Sequence, residues 1–233
     1  TPGTKDVYSN AGFAVAGHIA ETVMGKEYEV LMQEYLFNPL NMKSVGWGTP
    51  GTSERFENES LKEPWGHEKD GSPVKPLKNT PDGKGSDNPI GIAPAGRLHC
   101  TIQDWAKFIS IHLRGNALNP SRECKLLTGE TFKKLQTPPD TLSDYAYGWM
   151  CAEREWAGSQ KEGEVLTHAG SNTMWYCVTW IAPKKDFAVL ICSNMAGPMV
   201  EKGADEACWG LIQRQLEADK KKQIDFQSAT NPQ

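Results

Sequence analysis

The sequence predicts an α/β (α+β) protein: an antiparallel sheet with helices on both faces, joined to a mostly helical subdomain. Three observations carry this. Helical apolar spacing dominates the start of the chain and returns after Thr101. The period then shortens, and 145–155, 164–168, 173–182 and 187–193, rich in aromatic and β-branched residues, read as strands. The hairpin made by the last two is apolar on both sides, with Trp175, Cys177 and Ile181 on one and Tyr176, Val178 and Trp180 on the other. Such a sheet needs cover front and back. The expected division is a helical subdomain over 1–144, the sheet and a C-terminal helix over 145–221, and a loose tail over 222–233.

The first helix follows Asn10. Phe13, Ala16, Ile19, Ala20, Val23 and Met24 recur at helical spacing up to Gly25, a natural C-terminal stop. Tyr28, Leu31, Met32, Tyr35 and Leu36 form a second stripe. Asn38-Pro39 closes it, because the residue before proline disfavours the α region. From about 46 to 96 glycine and proline are dense and neither period persists. A long stretch of this kind often covers a site, and Trp47, Trp65, Ile90 and Ile92 give it groups that can pack.

Thr101 with Asp104 resembles a helix-capping pair, and Ile102, Trp105, Phe108, Ile109, His112 and Leu113 follow with helical spacing to Gly115. A shorter helix is expected from Thr128 through Phe132 and Leu135. Pro183-Lys-Lys-Asp186 suits a tight hairpin. With Lys184-Lys185 as its loop, Cys177 lies opposite Cys192, a register that permits a cross-strand disulfide without requiring one. A last helix over about 200–216 offers Cys208, Leu211 and Ile212 as an inner stripe.

Composition narrows the function. The net charge of −4 gives no basic field for nucleic acid or an anionic membrane. No apolar run approaches the roughly 20 residues that span a bilayer. Six cysteines (Cys100, Cys124, Cys151, Cys177, Cys192 and Cys208) are scattered without a C-x-x-C pair, which argues against a zinc or thioredoxin-like site. His67, His99 and His168 lack metal-ligand spacing. Neither a metal nor an organic cofactor is expected.

Three short signals remain: Tyr8-Ser9-Asn10 just before a helix, Pro94-Ala95-Gly96-Arg97 leading into the Thr101 helix, and His168-Ala169-Gly170-Ser171-Asn172 between two strands. Each alone is weak. A tyrosine titrates near 10 in isolation, so it serves as a base only beside cations that stabilise the phenolate.

In their order and flanks these signals resemble one family. Pro2-Gly3 through Tyr8-Ser-Asn-Ala-Gly12, Phe37-Asn-Pro-Leu-Asn-Met42, Pro94-Ala-Gly96 ahead of Asp104-Trp105, and Leu166-Thr-His-Ala-Gly-Ser-Asn172 look like consecutive landmarks of the serine β-lactamase and penicillin-binding-protein family. The likeness is to its class-C-type members, which include D-Ala-D-Ala peptidases and esterases, and it covers about residues 2–215. The resemblance implies a β-lactamase-like fold with its N-terminal part absent, and hydrolysis of an ester, β-lactam or D-Ala amide through an acyl-enzyme. It implies that Tyr8 is the acid/base residue, Asn10 the positioning amide and His168 the replacement for the usual lysine. Gly170 would let the substrate backbone approach, and the Ser171 N–H would form half of an oxyanion hole beside Asn172. It also implies that His168 and a lysine from the nucleophile motif supply the cations, so that activity depends on pH near neutrality. The resemblance implies a periplasmic or secreted location, which the residues themselves leave unknown.

The sequence departs from the family at the nucleophile. A Ser-x-x-Lys is expected ahead of Tyr8, and only seven residues precede that tyrosine. Ser72-Pro73-Val74-Lys75 matches the pattern but lies after it, between Asp70-Gly71 and Pro76, where a helix is disfavoured. The nucleophile is therefore expected outside this chain, which alone is expected to be inactive. The expected partners are a small-molecule or peptide substrate, and either a separate N-terminal segment or a second copy at an exposed sheet edge. The rival from another class is a non-catalytic relative or cell-wall ligand-binding module.

Overall fold

A computed structural model of the chain describes residues 4–50, 63–77, 86–114, 126–140, 142–158 and 163–230. Pro2-Gly3, Gly115 and Cys124 lie outside them.

Helix α1 (Asn10–Met24) starts where Ser9 offers a hydroxyl to the Gly12 N–H at 3.1 Å, and it stops at Gly25 with φ 65°. Its expected inner stripe is corrected: Phe13, Ile19, Val23 and Met24 are exposed. The helix instead buries Gly17, where a Cβ would stand 2.4 Å from Pro94 Cγ. Close approach of the Pro94 ring, not a broad apolar face, sets how α1 packs.

Helix α2 (Tyr28–Met32) does not run on as one α-helix to Leu36. It widens into a π-turn over Gln33–Phe37, with the Asn38 N–H donating to the Gln33 carbonyl at 2.9 Å ahead of Pro39, which has no N–H to give. Phe37 is fully buried, and Trp47 meets both Phe37 and Tyr28 edge-on or tilted.

The Gly/Pro-rich stretch holds short paired pieces. Strand β1 (Gly46–Trp47) pairs with β4 (Leu98–His99), and β2 (Gly66–His67) with β3 (Pro73–Val74). Ile90–Ile92 forms a 3-10 turn leading into the short α3 (Ala93–Gly96).

Helix α4 (Ile102–Arg114) carries the expected cap with one substitution of parts. Thr101 accepts the Asp104 N–H at 3.3 Å, but the Thr101 N–H is satisfied by Ser44 Oγ at 3.0 Å instead of by Asp104. The Asp104 carboxylate turns to the Ser44 N–H and hydroxyl at 2.7 and 2.6 Å and to Lys107. Burial opposes its charge, but the Lys107 and Ser44 hydrogen bonds outweigh burial and hold it well below the usual carboxylate range. Helix α5 (Gly129–Leu135) follows, capped by Thr128.

Strands β5 (Met150–Glu153), β6 (Glu164–Ser171), β7 (Tyr176–Ala182) and β8 (Phe187–Ser193) form one antiparallel sheet in sequence order. Three strand boundaries differ from expectation. The 145–155 strand shrinks to β5, because Tyr145 to Gly148 turn tightly, with the Ala146 N–H bonded to the Trp149 carbonyl and Gly148 at φ 98°. The 164–168 strand continues to Ser171, so His168 and Gly170 sit inside a ladder with β7. The 173–182 strand starts only at Tyr176, after Thr173 at φ 78°. The β7–β8 ladder closes at Ala182 and Phe187, so the loop is Pro183 to Asp186. The predicted register survives: Cys177 faces Cys192, and both are free thiols.

Helices cover both faces. On one, Ile109 of α4 packs with Leu166, Ile181 and Trp149; on the other, helix α6 (Pro198–Thr230) sets Ala204, Cys208 and Ile212 against Val178 and Val189. Each fully buried side chain of this size is worth about 1.5–3 kcal/mol of burial. The loose tail after residue 221 is corrected as well: α6 continues to Thr230, since Glu, Ala, Lys and Gln are good helix formers even without a face to bury. No described helix is long and apolar enough to cross a membrane.

His112 sits in the core between the rings of Phe108, Phe132 and Trp149, and burial pulls its pKa down to about 4. The unfolded chain protonates it near 6.5. Stability from the neutral ring is therefore complete above about pH 6.5 and is lost as pH falls toward 4, at up to about 1 kcal/mol per unit. Thermal melts from pH 7 to 4 should show this fall, and His112→Gln should flatten it. Equal slopes in the two proteins would refute the assignment.

Candidate active site

Two of the three sequence signals, Tyr8-Ser9-Asn10 and His168 to Asn172, come together at the open end of β6. Strand β5 pairs only with residues up to Thr167, so His168 to Ser171 have β7 on one side and no strand on the other among the described residues. Into that opening project the segment ahead of α1 and the turn ahead of β5.

Ser9 caps α1, and this fixes its neighbours: Asn10 is the first helical residue, and Tyr8 stands one residue outside the helix. Tyr8 donates its hydroxyl to Asn10 Oδ1 at 3.1 Å and remains exposed. Its ring lies edge-on to Tyr145, centroids 6.5 Å apart.

Tyr145 is the residue that the sequence reading missed. Its hydroxyl lies 3.1 Å from His168 Nε2, and the two rings are 6.0 Å apart. Tyr8, Tyr145 and His168 thus form a continuous aromatic row from α1 to β6. Burial, then the nearby Tyr8 and Asp6, pushes the Tyr145 phenol up, so it stays protonated and can donate. Burial pulls His168 below the ordinary histidine range, against a smaller upward pull from a backbone hydrogen bond at Ala169. In the neutral form that burial favours, with the ring proton on Nδ1, Nε2 accepts the Tyr145 hydrogen bond. Burial thus works against a positive charge on His168, because a desolvated imidazole holds its proton more weakly.

Gly170 has only Cys177 Sγ near the place where its Cβ would be, at 3.9 Å. Among the described residues nothing else comes within 4 Å of that place, so no packing contact there demands a glycine. Ser171 Oγ accepts the Thr173 N–H at 3.0 Å, and Asn172 Oδ1 accepts the Met174 N–H at 3.3 Å. The other end of Asn172 donates to Asp87 at 2.8 Å. These bonds hold Thr173, a β-branched residue, in a backbone region that costs on the order of 1–3 kcal/mol. Asn172 thus braces the turn with both ends of its amide.

The same brace reaches α1. Asn88, beside Asp87, donates to the Gly96 carbonyl at 2.8 Å, and Pro94 of the same short helix lies against Gly17. The Pro94-Ala95-Gly96 signal therefore couples the Tyr8 helix to the His168 strand.

The remaining candidates lie elsewhere. Ser72 lies just ahead of β3, in a turn where its N–H donates to Asp70 Oδ1, so Ser72 and Lys75 share no helix face. His67 Nδ1 lies 3.0 Å from the Asn194 carbonyl and His99 Nδ1 2.7 Å from that of Gly48. Among the described residues no three His, Cys, Asp or Glu side chains form a metal-sized cluster. A cavity of about 500 Å³ lies between α4, β8 and α6, lined by Ala106, Leu190 and Leu211, and holds none of the site residues.

A profile of the family described as Beta-lactamase matches residues 1–209. The chain is 25% identical over 203 residues to an N-acetylmuramyl-L-alanine amidase of Bacillus subtilis (strain 168), covering 82% of this chain and 45% of that protein. Its fold superposes on a β-lactamase/D-alanine carboxypeptidase from Pseudomonas syringae with TM-score 0.63 at 16% identity, over 84% of this chain and 56% of the other. It also superposes on an octameric penicillin-binding protein homologue from Pyrococcus abyssi with TM-score 0.58 at 20% identity, over 85% and 40%. At such identities the structural likeness carries the fold alone. The chain spans less than half the length of the first curated relatives it matches.

A methyl at Gly17 would strike the Pro94 ring, which cannot swing aside as a flexible side chain would. Overpacking of this kind costs about 1–3 kcal/mol, against about 1 kcal/mol gained from alanine's helix propensity. Gly17→Ala should therefore lower the melting temperature by a few degrees. An unchanged or raised melting temperature would show that α1 is not seated on Pro94.

Proposed function

Because this chain belongs to the beta-lactamase family, we propose that it carries the acid–base half of a serine hydrolase site. In this reading a Ser-x-x-Lys segment outside the chain supplies the nucleophile, and an ester, β-lactam or D-Ala amide is cleaved through an acyl-enzyme. The observation that carries the reading is the row Tyr8–Tyr145–His168, which brings the residue before α1 against the open edge of β6.

Tyr8 takes the proton of the attacking serine and returns it to the leaving group. Asn10, already bonded to the Tyr8 hydroxyl, aims it. Stabilisation of the phenolate falls chiefly to the segment's lysine, because burial lowers the His168 pKa and disfavours its charge. His168 instead accepts from Tyr145 and fixes the wall of the cleft. The substrate backbone lies along His168 to Ser171, past the missing side chain of Gly170. The Ser171 N–H joins the nucleophile's own N–H around the developing oxyanion. The strained Thr173 turn, braced by Asn172 and Asp87, keeps that strand end in place.

Two surfaces support a further covering segment. The Ile19 and Val23 side chains of α1 are exposed, and β8 has no strand on its outer side among the described residues. That edge would take a strand from the nucleophile-bearing segment or from a second copy.

Labelling with a fluorescent penicillin or an activated-ester probe tests the proposal. The chain alone should take no label. Joined to a Ser-x-x-Lys segment it should be acylated on that serine, and Tyr8→Phe should slow acylation roughly 10²–10⁴-fold. Probe binding without acylation in the joined protein would favour the ligand-binding relative, and label on Ser72 would overturn the assignment of the nucleophile.

A further inference from the structure

Cys177 and Cys192 stand directly opposite each other on β7 and β8, both as free thiols. Side chains alternate along a strand, so the pair lies on the sheet face that sets Leu166 and Ile181 against Ile109 of α4. Gly170, paired with Cys177, lies on that face too. The Cys177 sulfur is 3.9 Å from where a Gly170 Cβ would be, so it touches the strand that carries the candidate site. Cys100, just ahead of α4, is near enough to feel the charge of both. Its thiol is pushed up to about 11, first by burial and then by Asp104, Cys177 and Cys192.

We infer that Cys177 and Cys192 are a reversible dithiol–disulfide pair beneath the β6 site strand, oxidised by low-molecular-weight disulfides. Directly opposed residues hold their Cβ atoms about 4.5–5.5 Å apart, and a disulfide wants about 3.5–4.5 Å. The gap to close is about 1 Å. Strand β8 is the end strand of its sheet, with no ladder on its far side among the described residues, so it can make that shift. Cys192 is exposed and meets the oxidant first.

The exchange has two balanced steps. The Cys192 thiolate attacks the small disulfide R–S–S–R, forming Cys192–S–S–R and expelling RS⁻. The Cys177 thiolate then attacks the Cys192 sulfur and expels the second RS⁻. The two cysteines are oxidised, R–S–S–R is reduced, and the two thiol protons leave on two RSH. Burial raises both thiols, with the Cys192 charge adding at Cys177, so thiolate is scarce at neutral pH and the exchange quickens as pH rises. The pair is thus a slow latch. Closing it draws the Cys177 sulfur toward β8 and away from Gly170.

The test is incubation with hydroxyethyl disulfide at rising pH, followed by intact mass and non-reducing peptide mapping. The expected product has lost two hydrogens, carries a Cys177–Cys192 cross-link, forms faster at higher pH and returns to the dithiol with reductant. Cys100→Ser should leave it unchanged, and Cys192→Ser should abolish it. A product that stops at stable mixed-disulfide adducts, an unmodified protein, or a link through Cys100 or Cys124 would each overturn the pairing. Because the mapping is done on the unsubstituted protein, it decides even if a variant fails to fold.

Discussion

The hydrogen bond between Tyr145 and His168 is the constraint on which the site depends. It joins two rigid pieces. Tyr145 is held by the tight turn to Gly148, anchored by Trp149, whose ring packs on His112 in the core. His168 is held by the β6–β7 ladder opposite Thr179, which is itself buried and bonded to the Val189 carbonyl. Neither ring can move far without disturbing the core. Tyr8, by contrast, is exposed and reaches the sheet through Tyr145. The position of the acid/base candidate is thus set by two elements far from it in sequence.

A second linkage runs behind the site. From β6 it passes through Asn172 to Asp87, through Asn88 to Gly96, and through Pro94 to Gly17 of α1. It ties α1 to the sheet through hydrogen bonds and the contact of Pro94 with Gly17. Among the described residues, Ile19 and Val23 of α1 are exposed and no strand pairs with the outer edge of β8; chains ordinarily bury or pair such surfaces.

Much of this was legible in the sequence. The sheet, its two-sided helical cover and the Cys177–Cys192 register followed from the period-2 segments and the hairpin loop. Tyr8, Asn10 and His168 followed from the family resemblance, and the structure brings Tyr8 and His168 toward one place. Tyr145 was not legible, because an aromatic at the head of an apparent strand looks like any other sheet residue. Only the Gly148 turn, which a strand reading passed over, aims it at His168. The α1 stripe misled for the opposite reason. Its spacing is truly amphipathic, but periodicity cannot say whether the covering element lies within the chain. The lowered pKa of His168 is a matter of desolvation, which spacing does not encode. The extension of α6 was missed because polar composition was read as looseness, although those residues favour a helix.

The most direct test of this account is an NMR titration of the His168 imidazole nitrogens, in the native chain and in Tyr145→Phe. The account predicts a midpoint below the ordinary 6.5 of histidine, a neutral ring with its proton on Nδ1 at pH 7, and an Nε2 shift that changes when the Tyr145 hydroxyl is removed. A His168 that titrates at or above 6.5 and does not respond to Tyr145→Phe would contradict it.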